Sequence, residues 1–192
     1  MSVAAVVLAA GDGSRFEGPV PKLLVPIHGV PMVVRAVRAA LGAGLDETIV
    51  VAGAVDLGPP LVAAGVADQV TIVRNERWAD GQATSLAAGI AAAGAAGHEA
   101  VVVGLGDQPG VGTEAWQLVA RTEPGAPIVV ATYAGRRRNP VRLGRAIWAD
   151  LPIEGDEGAR VLLRRRPDLV VEVGCQGEPH DVDTLEDLER WS

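Results

Sequence analysis

The chain has 192 residues, 48% of them hydrophobic but only 3% aromatic, and a formal net charge of −7 from 17 basic and 24 acidic side chains. An acidic balance of this kind excludes a general nucleic-acid binder, which needs clustered cations to displace counterions. Anionic ligands must then be held by local positive charge. The single cysteine, Cys175, excludes a disulfide framework and a multi-thiol metal site, and it fits a reducing cytoplasm. One domain over 1–192 is expected at this length.

The first predicted element is a buried strand at 4–8, Ala4-Ala5-Val6-Val7-Leu8, with no basic region ahead of it and too short to be a signal peptide. It runs into Ala9-Ala10-Gly11-Asp12-Gly13-Ser14-Arg15, and Pro21-Lys22 follow. Glycines let backbone N–H groups turn toward an anion with no side chain in the way. Arg15 and Lys22 add two cations, so the stretch suits a nucleoside triphosphate. Two better-known loops are excluded. Gly13 and Gly18 have P-loop spacing, but Pro19 and Val20 stand where Lys-Ser/Thr is required. Gly11 and Gly13 begin a dinucleotide fingerprint, but Phe16 replaces its third glycine, and Val50-Val51-Ala52-Gly53 offers no acidic residue for a ribose.

Further strands are predicted at 48–51, 69–73, 100–103, 128–131 and 169–173, with helices at 31–41, 57–64, 83–95 and 114–122. The apolar stretch 86–96 is too short and glycine-rich for a membrane span. Alternation of this kind implies a mainly parallel sheet covered by helices on both faces. Ligands bind such sheets at the carboxyl ends of the strands. The loops to inspect are therefore the first, the stretch Arg74 to Ser85 that holds Trp78, and Gly104-Leu105-Gly106-Asp107-Gln108-Pro109. From Tyr133 the pattern becomes irregular. Arg136-Arg137-Arg138-Asn139-Pro140 is expected to turn between two strands, as an acceptor-phosphate site or a solvated turn. Short helices are expected at 146–151 and 159–165, and a last one at 185–191, where Thr184 and Asp187 have capping-box spacing. Trp78 is expected to flank the nucleoside pocket and Trp116, Trp148 and Trp191 to pack helices. His28 and His98 are expected in loops, and His180 to make a local hydrogen bond.

Asp107 follows a buried strand, and a carboxylate beside a phosphate cradle implies Mg²⁺. In Asp181-Val182-Asp183 an extended backbone points both carboxylates one way and Val182 the other. Asp107 capping the helix near Gly112, and Asp183 capping the last helix, stand as structural alternatives.

Leu8-Ala9-Ala10-Gly11…Ser14-Arg15…Lys22, Asn75…Trp78…Gly81…Ser85, Gly106-Asp107-Gln108-Pro109, Gly155-Asp156-Glu157-Gly158-Ala159-Arg160 and Asp181-Val182-Asp183-Thr184…Glu186-Asp187-Leu188 together resemble the MobA-like NTP transferase family, most nearly its molybdenum cofactor cytidylyltransferases. The resemblance implies a three-layer α/β fold with a mainly parallel, Rossmann-like sheet of the nucleotide-diphospho-sugar transferase type. It implies transfer of a nucleoside monophosphate from an NTP to a small phosphorylated acceptor, with a molybdenum enzyme as a further partner. By the same resemblance Leu8, Ala9, Ala10, Gly11, Gly13, Ser14, Arg15, Lys22, Gly81 and Ser85 bind nucleotide, and Arg15, Lys22 and Asp107 carry catalysis. Asp107 and Asp183 hold Mg²⁺, with Asp181 in reserve, and Asn139 and Pro140 face the acceptor. Ala10, where the guanylyltransferase branch has glycine, favours CTP. The chain departs from the pattern at Phe16 for Met, Glu76 and Leu185 for Pro, and Asn139 for His. Two rivals remain: a nicotinamide-dependent reductase of the nicotine blue type, and a non-catalytic nucleotide-binding accessory protein for a molybdenum hydroxylase.

Overall fold

The computed structural model describes residues 1–191. The chain runs β1 (Val3–Ala9), a hairpin of β2 (Pro26–Ile27) and β3 (Val30–Pro31), α1 (Met32–Gly42), β4 (Glu47–Ala52), α2 (Gly58–Ala63), β5 (Thr71–Arg74), α3 (Gln82–Ala95) and β6 (Ala100–Leu105). It continues through α4 (Thr113–Arg121), β7 (Ile128–Tyr133), β8 (Arg136–Gly144), α5 (Arg160–Arg165), β9 (Val170–Gly174) and α6 (Leu185–Glu189). Seven strands form one sheet in the order β5-β4-β1-β6-β8-β7-β9. Every pairing is parallel except those of β8, which is antiparallel to both β6 and β7.

β1 is buried along its whole length, as a central parallel strand covered on both faces must be. Its alternate residues divide the core. Val3, Ala5, Val7 and Ala9 pack with α1, α2 and α4, while Ala4, Val6 and Leu8 pack with α3 and α5. Two cores on opposite faces make the three layers that alternation of strands and helices implied. No helix among the described residues is long and apolar enough to cross a membrane.

The stretch expected to turn, 136–140, is instead the first half of β8, and Pro140 is buried in it. The turn lies two residues earlier. Ala134 and Gly135 have φ of 49° and 74°, and positive φ at both central positions is the tight hairpin geometry that matches strand twist. Ala is a poor host for that conformation, and Ala134-Gly135 carries no Asn-Gly turn signal. The helix expected at 146–151 is a 3-10 stretch, Arg145–Asp150, and the last helix ends at Glu189. The hairpin of β2 and β3 was not anticipated.

Two polar residues hold the frame. His98 does lie in a loop but is buried, bridging Ser2 Oγ (2.7 Å) and Glu47 Oε2 (2.8 Å). Arg142, in the middle of β8, is 0% exposed. Its guanidinium donates to the carbonyls of Ala120, Glu123 and Ala126, where α4 ends and its loop begins.

Candidate active site

The carboxyl ends of β1 and β6 lie side by side, Leu8 opposite Leu105, and the loops that leave them build a cleft of about 640 Å³. Leu8, Ala10, Gly11, Gly13, Ser14, Arg15 and Lys22 line one wall. Gly13 has φ of 68°, and a Cβ there would come within 2.7 Å of Lys22 Cβ. The glycine is therefore needed twice: for its backbone conformation and for the lysine stem lying against the loop. Phe16, in place of the family's methionine, is buried with Val25, Ile27, Met32 and Val182. This pins the loop to the C-terminal segment.

That segment brings a pair of carboxylates to join Asp107. Val182 N donates to Asp107 O (3.1 Å), and Val182 is 0% exposed, while Asp181 and Asp183 both line the cleft. The extended alternation expected from the sequence is thus present. Neither structural alternative holds. The carboxylate of Asp187 and the hydroxyl of Thr184 make the capping box of α6, and Gly112 precedes α4 with no side-chain cap.

Lys22 Nζ lies between the two aspartates, 2.7 Å from Asp107 Oδ2 and 3.0 Å from Asp183 Oδ1. Arg15 Nη2 takes the other oxygen of Asp183 at 2.9 Å. Burial alone would push the Lys22 ammonium toward neutrality, but Asp107 and Asp183 outweigh it and hold its pKa above the usual value. Asp181 is shifted up by burial and by the nearby charges of Asp107 and Asp183, against a hydrogen bond from Gln108 Nε2 (2.7 Å).

A pKa raised on folding means that Asp181 supports the fold fully only below the ordinary carboxylate range. That contribution is lost as pH rises through the folded value. Asp181→Asn keeps an oxygen for Gln108 and removes the charge. In the presence of chelator the variant is expected to melt above the wild type at neutral pH and to match it in acid, as thermal denaturation at both pH values would register.

The opposite wall comes from Trp78, Ala79, Gly81, Gln82 and Ser85 with Asp156 and Arg160. Asn75 is buried and donates to Thr84 Oγ1 (2.9 Å) and Ser85 Oγ (3.0 Å) while accepting from Arg77 N (2.9 Å). It clamps the start of α3. Gly81, with φ of 105°, is so close to Gly155 that a Cβ would meet its carbonyl oxygen at 2.6 Å, and Ala83 N donates to that same oxygen (2.8 Å). The two halves of this wall are joined through backbone.

Most of the expected residues meet in one cleft, with three exceptions. Ala9 points into the core on the α1 side, and Pro140 lines no part of the cleft. Asn139 lies in a smaller adjoining cavity with Leu86, Val103, Val141 and Leu163, which shares Leu8, Gln82, Leu105 and Arg160 with the main cleft. Trp78 does flank the pocket, Trp116 packs in the core over Gly104 of β6, and His180 is exposed. Gln82, Asp156 and Arg160 were not singled out. The signal for the last two was their place in the Gly155-Asp156-Glu157-Gly158-Ala159-Arg160 motif, and Gln82 had none.

A three-layer α/β sheet with a glycine loop, a buried lysine and converging aspartates at its carboxyl edge defines the nucleotide-diphospho-sugar transferase type of fold. The chain belongs to the MobA-like NTP transferase family, whose domain model matches residues 5–170. It is 35% identical over 98% of its length to nicotine blue oxidoreductase of Paenarthrobacter nicotinovorans, covering 95% of that protein. It is 30% identical to the bifunctional protein GlmU of Roseobacter denitrificans over 77% of its own length but only 32% of GlmU. Among solved structures it superposes on Rv0371c of Mycobacterium tuberculosis with a TM-score of 0.83 and 29% identity, over 100% of this chain and 97% of that one. It superposes on a nucleotidyl transferase of Methanothermobacter thermautotroptrophicus with a TM-score of 0.79 and 27% identity, over 98% and 95%. Rv0371c is also known in complex with manganese, again 27% identical with a TM-score of 0.79 and covering 100% of this chain and 98% of that one.

Proposed function

We propose that this protein moves a nucleoside monophosphate from an NTP, CTP by preference, to a small phosphorylated acceptor and releases pyrophosphate, with molybdopterin cofactor the favoured acceptor. The observation that carries this reading is the convergence of Lys22, Asp107 and Asp183 beneath the glycine loop. Simple nucleotide binding has no use for two aspartates at that place, and hydride transfer to or from a nicotinamide has none either.

The donor set fits a hard divalent cation. Asp107 and Asp183 both reach one point, at present the Lys22 ammonium, and carboxylate oxygens are the ligands Mg²⁺ takes. Bound there, the ion would neutralise phosphate charge and polarise the α-phosphorus. Rv0371c, 27% identical, is described in complex with manganese, a divalent cation, which supports a divalent ion for this chain.

The chain's own residues have assignable tasks. Backbone N–H groups of the loop from Ala10 to Ser14 hold the triphosphate. Arg15, 77% exposed at the cleft mouth, reaches the β- and γ-phosphates. Lys22 meets the α-phosphate region, where negative charge grows as pyrophosphate leaves. Gly81 and Ser85 line the nucleoside side, and Asn139 faces the acceptor from the adjoining cavity. A phosphate monoester is already anionic, so positioning and charge neutralisation suffice and no general base is needed. Ala10, which lines the cleft, stands where the guanylyltransferase branch has glycine, and this favours CTP.

A second reading has one specific observation in its favour. The relative of 35% identity and nearly full coverage is an oxidoreductase, and the same pocket could hold a nicotinamide nucleotide. Turnover separates the two. Purified protein with Mg²⁺, α-labelled CTP and molybdopterin cofactor should yield a labelled cytidylyl conjugate and free pyrophosphate. Label remaining in every NTP tested, with NADPH consumed in its place on nicotine blue, would overturn the transferase reading.

A further inference from the structure

One oxygen of each carboxylate proposed to receive a divalent ion is already held by a side chain. Lys22 Nζ lies 2.7 Å from Asp107 Oδ2 and 3.0 Å from Asp183 Oδ1. Mg²⁺ takes carboxylate oxygens at about 2.0–2.1 Å, so an ion on this pair would enter the shell where the ammonium lies. Two cations at that separation repel strongly, and the Lys22 side chain is only 10% exposed, so water screens little of it. The second oxygen of Asp183 is held by Arg15.

The protein also offers few other ligands. Among the described residues no group of three or more His, Cys, Asp or Glu side chains is arranged to hold a metal. An octahedral ion here must draw most of its shell from water and substrate oxygens, the usual manner of Mg²⁺ in nucleotide enzymes.

We infer that Lys22 is the resident cation of this centre: a free divalent ion binds poorly because it must displace the ammonium, and the ion enters together with the triphosphate, which gives that ammonium a new anionic partner. The inference rests on the nucleotidyl-transfer reading. Without nucleotide, the charges of Asp107 and Asp183 are matched by Lys22 and Arg15. A metal ion alone would strand a buried ammonium, which is costly. A triphosphate alone would set its charge against two aspartates. Together they exchange partners, lysine to phosphate and aspartates to metal. The lysine has little distance to travel. A Cβ on Gly13 would stand 2.7, 3.5 and 3.6 Å from its Cβ, Cδ and Cε, so the stem already runs along the loop that holds the phosphates.

The test is Mn²⁺ binding followed by electron paramagnetic resonance, on nucleotide-free wild type and Lys22→Met, with folding checked by circular dichroism. The variant should bind Mn²⁺ at least tenfold more tightly. The non-hydrolysable analogue CMPCPP should tighten Mn²⁺ more in the wild type than in the variant, because only the wild type has an ammonium to remove. Equal or weaker Mn²⁺ binding by folded Lys22→Met overturns the inference and leaves the transferase reading intact. No effect of any NTP analogue on Mn²⁺ binding by the wild type overturns that reading, and the inference with it. Should Lys22→Met not fold, the ¹⁵N side-chain resonance of Lys22 in the wild type decides. It should stay put with millimolar Mg²⁺ alone and move when CMPCPP is added. A shift with Mg²⁺ alone sinks the inference.

Discussion

Asp107→Asn is expected to lower nucleotidyl transfer by about a hundredfold to a thousandfold or more, the range seen when one preorganised electrostatic contact to a transition state is removed. Asn has the same shape and keeps an oxygen for the Lys22 ammonium 2.7 Å away. The backbone oxygen that receives Val182 N is untouched. The fold should therefore survive, and the loss should fall on kcat rather than on melting temperature. Lys22→Ala is expected in the same range or beyond, since it removes a charge and leaves two like carboxylates facing each other. Steady-state kinetics on folded variants, with melting curves alongside, measures both. Near-wild-type turnover in either would remove the assignment.

Arg142→Met is expected to leave the cleft chemistry unchanged and to cost about 3 kcal/mol or more of stability. The methionine fills much of the space of the arginine stem, so the effect isolates the guanidinium. Three carbonyls, of Ala120, Glu123 and Ala126, lose their donor, and each buried acceptor left unpaired costs about 1–3 kcal/mol. Partial hydration at the surface end of this loop, and the unpaired Nε that the arginine itself carries, keep the total toward the lower end. Burial lowers the pKa of Arg142, with Glu123 opposing, so a fixed cation is kept there against a desolvation penalty. For a chain of this size the melting temperature should fall by about 6–12 °C. An unchanged melting temperature would mean that the carbonyls find other partners.

What could be read in advance follows from how local each signal is. β1 was legible because an apolar run of β-branched residues ending in glycines has one reading. Asp181-Val182-Asp183 was legible because strand alternation decides which side chains share a face, and Val182 is indeed buried between two cleft-lining aspartates. Arg142 was not legible. An arginine in a strand reads as outward-facing, and its partners are carbonyls 16 to 22 residues away. The register of β7 on β8 shifts by two residues between Val130 and Ala131, which leaves Arg142 on the same face as Arg136 and Arg138, and it is the covering α4 and its loop, not the alternation, that bury it. The hairpin was misplaced for a related reason, since Ala134 adopts a backbone conformation its side chain disfavours. His98 reads locally as an ordinary loop residue because its partners, Ser2 and Glu47, are 96 and 51 residues distant. In the cleft, the loop and the aspartates were found from their own residues. The clamp of Asn75 on Ser85 and the contact of Gly81 with Gly155 emerge only when the chain is folded.

The most direct test of the central claim is a thermal-shift panel of CTP, GTP, ATP, UTP and NADPH, each with and without Mg²⁺. A ligand at about 100 times its dissociation constant adds roughly 2.7 kcal/mol to the folded state, enough to raise the melting temperature visibly. The account predicts a shift with CTP that requires Mg²⁺ and is lost in Asp107→Asn. A shift with NADPH alone, indifferent to Mg²⁺, would contradict it and move the protein to the oxidoreductase side of its family.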